Sequence, residues 1–209
     1  MNPFGRHIAL AALGMLALGG MQQVAAQKHR AKICPDHQSR ILINGNSNAA
    51  KYSCQLEKWT TPELPKPFSY EYKEGKIEMG GVQVMIPSGG FECNNSMMTR
   101  DFRAALGAAE YPYISLFFHS LQLHKGMEGS TVQRNVHADM ECMIKGVKRR
   151  YKVSIKEARF ADDVLIIVGV LDLKMSDFGI EPPTAMFGMI KVYDELSIDF
   201  NLRFCRIVP

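Results

Sequence analysis

The chain has 209 residues, 46% of them hydrophobic, with 25 basic against 21 acidic side chains and a formal charge of +4. So small and dispersed a charge gives no argument for nucleic acid or a charged membrane surface as partner. The length suits one domain with a real core.

Arg6 and His7 precede an apolar run, Ile8 to Leu18, which ends at Gly19-Gly20 and the small-residue exit Val24-Ala25-Ala26. A basic end, a short apolar centre and small residues before the break predict a secretory signal over residues 1–26, cleaved after Ala26. The run is too short for a membrane anchor, which needs about 20 apolar residues. Gln27 occupies the place where a lipoprotein would carry cysteine. No later stretch is long and apolar enough to span a bilayer, so the expectation is a periplasmic or secreted protein whose domain covers residues 27–209. Without Arg6, 24 basic residues face 21 acidic ones, leaving +3. All five cysteines (Cys34, Cys54, Cys93, Cys142, Cys205) lie in that exported part. Disulfides are therefore allowed, and the odd count leaves a thiol over. A Cys34–Cys205 bridge would tie the ends of the domain together.

Along the domain the hydrophobic period is two. Arg40–Ile43, Phe68–Tyr72, Lys76–Met79 and Val82–Ile86 read as strands separated by turn signals at Asn44-Gly45-Asn46, Glu74-Gly75 and Pro87-Ser88-Gly89-Gly90. The proline-rich segment Trp59 to Pro67 reads as a loop. Met98 to Ala109 breaks the rhythm and predicts one short helix, with Thr99 as N-cap and Pro112 barring continuation. Ile114 to Phe118 is apolar on both faces, as is Val164 to Leu173, which fits strands covered on both sides. Val136 to Cys142 and Tyr151 to Lys156 alternate strictly, with Lys125-Gly126 as a turn before them. The basic cluster Lys145 to Arg150 (KGVKRR) reads as a turn flanking a strand. Leu196, Ile198, Phe200 and Leu202 share the dry face of the last strand. Many short strands and one helix predict a barrel or a sandwich.

Several stretches, in order, resemble the YceI-like family. They are Asn44-Gly45-Asn46-Ser47-Asn48, the run Phe91 to Phe102 followed by Tyr111-Pro112-Tyr113-Ile114-Ser115-Leu116, the hairpin Cys142 to Tyr151, and the closing block Met175-Ser176-Asp177-Phe178-Gly179-Ile180 with Asp194-Glu195-Leu196-Ser197-Ile198. The matches run from about Arg40 to Phe204. The resemblance implies an all-β, extended eight-stranded antiparallel barrel of lipocalin-like shape with one short helix. It also implies an apolar lumen that takes a polyisoprenoid chain, and no shared catalytic residues. Two departures stand out. Ala49-Ala50-Lys51-Tyr52 replaces a histidine-aspartate-tryptophan turn, and Leu116-Phe117-Phe118 is bulkier than its counterpart.

On that barrel, the lumen-facing residues are expected to be Ile114, Leu116, Phe118, Leu196, Ile198, Phe200 and Leu202. The partner is then an apolar small molecule such as a quinone or polyprenyl tail, with no cofactor, no metal and no enzymatic activity. The oligomeric state is left open. An eight-stranded barrel is just wide enough to be filled by its own side chains or to hold one slender ligand. A filled-core barrel serving as a structural or protein-binding module is therefore the alternative, favoured if Trp59, Phe68, Tyr70 and Tyr72 form an exposed aromatic patch. Met140, Met143, Met175, Met186 and Met189 read as lumen or core filling. Other constellations are weak. Asp177-Phe178-Gly179 lacks the other kinase loops, and no G-x-S-x-G elbow exists. His119 and His124 fall on opposite faces of a strand. His137, Asp139 and Glu141 read as polar outer surface, and Asp172 is the one polar residue in an otherwise apolar strand register.

Overall fold

The computed structural model describes residues 29–33, 38–59, 67–124, 131–161 and 164–206. The predicted signal segment, the 60–66 stretch of the proline-rich loop, the 125–126 turn and Cys34 lie outside them. Among the described residues the chain is built of strands, one α-helix and two 3-10 turns. The strands are β1 (His29–Ile33), β2 (Arg40–Ser47), β3 (Lys51–Leu56), β4 (Pro67–Lys73), β5 (Lys76–Pro87), β6 (Phe91–Cys93), β7 (Tyr113–Gln122), β8 (Val132–Ile144), β9 (Val147–Ala161), β10 (Val164–Lys174), β11 (Thr184–Ala185) and β12 (Ile190–Arg206), with α1 (Ser96–Ala105) between β6 and β7.

Every pairing is antiparallel, in the order β1-β4-β5-β7-β8-β9-β10-β12-β2-β3-β6. β1 pairs β4 through Ala31↔Phe68 and also pairs the C-terminal end of β12 through Ala31↔Arg206. The N-terminal half of β12 instead pairs β2, Ile198 opposite Ile43. Period-two alternation sets the two faces. On β8, Val136, Ala138, Met140, Cys142 and Ile144 are buried. On β9, Val153 and Ile155 point in while Lys152, Ser154 and Lys156 face water.

The outer face is laced by ion pairs: Lys148–Glu141 at 2.8 Å, Arg134–Glu157 at 3.2 Å, Lys156–Asp199 at 3.3 Å and Arg150–Asp139 at 3.7 Å. Such exposed pairs contribute roughly 0–1 kcal/mol each. They account for the basic cluster as ordinary surface, since two of its cations meet cross-strand carboxylates. The hairpin itself turns at Lys145 and Gly146, both in the left-handed region that a two-residue turn demands.

The helix departs from expectation. It begins at Ser96 rather than Met98, and its N-cap is Asn95, whose side-chain oxygen accepts the Met98 N–H at 2.8 Å. Thr99 lies inside the first turn, buried, with its hydroxyl donating to the Asn95 carbonyl and accepting the Cys93 N–H at 2.9 Å. Two neighbouring cap-type residues competed, and the earlier one took the cap. The two predicted strands Lys76–Met79 and Val82–Ile86 are one long β5 whose register shifts between Glu78 and Val82, at Gly80-Gly81. A bulge of this kind reads in sequence as a turn.

Candidate functional site

Among the described residues, one half of the interior is hollow and the other is filled with buried side chains. A cavity of about 330 Å³ is lined by β2, β3, the end of β5, β6, α1, the first part of β7, the last part of β8 and β10, and β12 from Ile190 to Leu202. At the opposite end, Val82, Leu121, Val136, Ala138, Val153, Ile155 and Ile167 are buried but do not line it. There the core is closed by its own side chains.

Within the lining, Ile114, Leu116 and Phe118 enter from β7, and Leu196, Ile198, Phe200 and Leu202 enter from β12. All seven of the residues singled out in the sequence therefore border this space. Phe117, the extra bulk of the Leu116-Phe117-Phe118 stretch, points the other way, with the Lys148 ammonium 4.6 Å from its ring centre.

The wall has further contributors that the sequence did not single out, beside Met140 of β8, which it did. Ile41 and Ile43 come from β2, Cys142 and Ile144 from β8, and Leu171 and Leu173 from β10. Their alternation was visible on β8, but β10 is apolar on both faces and gives no inward register. Phe178, in a 3-10 turn, is buried against the cavity with no periodic signal to announce it. Its ring packs 6.2 Å from that of Tyr151, whose hydroxyl donates to Asp177 at 3.0 Å. Burial and that carboxylate push the Tyr151 hydroxyl pKa up.

Polar lining groups cluster at one end. They are Ser47, Lys51, Tyr52, Asn95, Asp101 and Thr184, carried by the β2–β3 turn, α1 and β11. Asn48 knits this rim: its amide donates to the Met189 carbonyl at 2.9 Å, and its side-chain oxygen accepts the Lys191 N–H at 2.9 Å. Opposite Gly45 in the β2–β3 register sits Tyr52. A methyl on Gly45 would come within 2.2 Å of the Tyr52 ring, so the glycine is what lets that ring lie across the strand. Burial raises the Tyr52 hydroxyl pKa. A disulfide, Cys54–Cys93, joins β3 to β6 just below the helix. Cys142 is a free, buried thiol in the wall, its pKa pushed up to about 12 by desolvation.

Other candidates resolve differently. The aromatic patch around Trp59, Phe68, Tyr70 and Tyr72 is not an exposed patch: Phe68 is 5% exposed, Trp59 and Tyr70 are half-buried, and only Tyr72 reaches 40%. Met140 and Met175 do fill the interior, but Met186 and Met189 stand in water at 61% and 65% exposure, which neither reading of the methionines foresaw. Asp172 faces outward, so it brings no charge into the interior. His137 is exposed, while Asp139 and Glu141 are engaged by Arg150 and Lys148. A second hollow of about 400 Å³, on the outer face by Glu71, Lys76, Glu78, His119, Asp139 and Arg150, is polar, and Lys76 and Arg150 pair with Glu78 and Asp139. The Lys76–Glu78 contact raises the lysine pKa and lowers the glutamate pKa. Among the described residues, no cluster of three His, Cys, Asp or Glu side chains could hold a metal, and no helix is long and apolar enough to cross a membrane.

The fold is shared with solved proteins. A polyisoprenoid-binding domain from Saccharophagus degradans, implicated in plant cell wall breakdown, superposes with a TM-score of 0.55 over 87% of this chain and 100% of its own length, at 10% identity. Burkholderia cenocepacia BcnA matches 79% of this chain and 95% of its own, at 15% identity and a TM-score of 0.49. A mutant CJ YceI protein covers 99% of this chain and 94% of its own, at 10% identity and a TM-score of 0.46. No family model matches the sequence, and no curated protein does. The fold shared with the polyisoprenoid-binding domain is, among the described residues, all-β and antiparallel with one helix.

Proposed function

We propose that the protein is a carrier or sequestering protein of the bacterial periplasm, or a secreted one, that holds one isoprenoid-type chain in its interior. The observation that carries this reading is the cavity itself. Its deep wall is made of apolar side chains from eight strands, and its polar groups are confined to one rim. An apolar chain would lie inside with its polar end among Lys51, Tyr52, Asn95 and Asp101. Since benzene occupies an engineered cavity of about 150 Å³, or roughly 25 Å³ per carbon, a cavity of about 330 Å³ suits about 13 carbons, near three isoprene units.

The dual pairing of β1, with β4 on one side and β12 on the other, supports a sheet that closes as an eight-stranded barrel. The Cys54–Cys93 disulfide supports export to an oxidising compartment. The reading assigns no catalytic step and no cofactor. The one carboxylate in the lining, Asp101, is exposed and lies 3.3 Å from Arg100.

The test is native mass spectrometry and lipid extraction of protein purified from its own host, with a melting-temperature series in a short-tailed isoprenoid quinone. A co-purifying apolar ligand and a rise in melting temperature are expected. If nothing apolar co-purifies and the quinone leaves the melting temperature unchanged, the carrier reading fails.

A further inference from the structure

The rim of the cavity carries apolar side chains that the fold does not use. The β11–β12 hairpin ends in Met186-Phe187-Gly188-Met189, with no charge among the four. Met186 is 61% exposed, Met189 65% and Phe187 fully exposed. Met97, on the first turn of α1 and itself part of the cavity lining, adds another side chain at 65%. Runs of exposed apolar residues carry a solubility cost that a sequence sheds unless they serve a purpose.

The backbone adds an independent observation. Met186 and Phe187 sit at φ 51° and 58°, a left-handed conformation that is an outlier for bulky side chains. Asparagine or glycine would turn the same corner without that strain. The turn thus spends conformational energy to display a phenylalanine and a methionine to the exterior, the kind of local strain that clusters at functional sites.

Position and charge say what covers it. Asn48 clamps Met189 and Lys191 against the β2–β3 turn, so hairpin, turn and helix start form one ordered rim around the mouth. Exposed on that rim are Lys51, Lys191 and Arg100 against Asp101 and Glu181, and Asp101 is taken up by Arg100. A small excess of cations around an apolar tip is the pattern of a surface that inserts a few side chains among anionic lipid headgroups. We propose that the Met186–Met189 turn, with Met97, is a membrane-docking rim that seats the cavity mouth on an anionic lipid surface, where an apolar chain can pass between bilayer and cavity without crossing water. The proposal goes beyond the carrier reading and rests on it for its purpose, but not for the docking itself.

The experiment is co-sedimentation of the mature chain with vesicles of phosphatidylethanolamine and phosphatidylglycerol, comparing wild type with the double variant Met186→Asn/Phe187→Asn, neither residue lining the cavity. Sedimentation velocity without vesicles and binding of a soluble alkyl fluorophore are measured on the same samples. Wild type is expected to sediment with the vesicles and to release as salt rises. The double variant should bind at least about tenfold more weakly, the loss expected from one aromatic side chain returned to water. Its melting temperature should not fall, because asparagine accepts both left-handed positions, and its fluorophore binding should be unchanged. The proposal is overturned if wild type ignores the vesicles or the variant binds them equally well. It is also overturned if wild type self-associates through this face and the variant dissolves that dimer. Vesicle binding without any fluorophore binding would instead sink the carrier reading and leave the docking rim standing.

Discussion

The size of the cavity sets a limit on what binds it, and chain length is the perturbation that reads the limit. Each methylene transferred from water to an apolar wall contributes about 0.8 kcal/mol, close to a fourfold gain in affinity per carbon. At roughly 25 Å³ per carbon, about 330 Å³ is full at about 13 carbons. Lengthening an n-alkanol from about 8 to about 13 carbons should therefore strengthen binding by about 4 kcal/mol, near a thousandfold. Beyond that length the added carbons lie at the polar rim or in water, and the gain per carbon should drop toward zero. The assay is displacement of an environment-sensitive fluorophore, with each alkanol kept below its solubility limit. A curve that climbs through about 13 carbons without a break would refute a cavity of this size. A curve that is flat from the start would refute an apolar interior site altogether.

Further outcomes follow from single contacts. The Cys54–Cys93 bridge spans 39 positions of sequence. In the chain-entropy view it stabilises by about 4 kcal/mol, so Cys54→Ala/Cys93→Ala should lower the unfolding free energy in water by that amount, with a steeper denaturant slope as the unlinked chain exposes more surface. The Cys142 thiol, with its pKa at about 12, should be inert to a disulfide reagent at neutral pH until the chain unfolds. The same raised pKa favours the protonated, folded state: its contribution is complete below the ordinary thiol pKa of 9.0 and is lost as the pH rises from there toward 12. Between pH 9.0 and 10.0, before Tyr52 and Tyr151 with their own raised pKa values add to the loss, unfolding should show an alkaline loss of up to roughly 1.4 kcal/mol per unit that Cys142→Ala removes. A methyl on Gly169 would meet the Phe200 ring at 2.5 Å and the Ser154 carbonyl at 2.6 Å. Gly169→Ala should therefore push Phe200 into the cavity and weaken alkyl binding, while the backbone contact at Ser154 also lowers stability, checked by the same displacement assay beside a melting curve.

Much of this was legible in the sequence because a strand declares its buried face by alternation. Leu196, Ile198, Phe200 and Leu202 share one face by strict alternation, and all four line the cavity; Ile114, Leu116 and Phe118 line it from another strand. The fold came from ordered short motifs whose meaning lies in turn chemistry, such as the Lys145-Gly146 hairpin. What stayed hidden has physical causes. β10 is apolar on both faces, so its inward residues could not be told from its outward ones. The short β3 and β6 carry too few residues to show a period, yet they hold the disulfide and one wall. Met186 and Met189 looked like core residues because side-chain chemistry alone does not reveal which way a turn points. The division of the interior into a solid half and a hollow half depends on how Ala138, Val153 and their neighbours interlock, which no linear pattern encodes.

The most direct test of an apolar chain inside the fold is nuclear Overhauser contact between a bound protonated prenyl alcohol of about three isoprene units and the methyl groups of the otherwise deuterated protein. The account expects contacts to Ile114, Leu116, Ile198 and Leu202 from the chain, and none to Val153 or Ile155 in the solid half. Contacts confined to outward-facing methyls such as Val168 and Val170, with the cavity methyls silent, would contradict it.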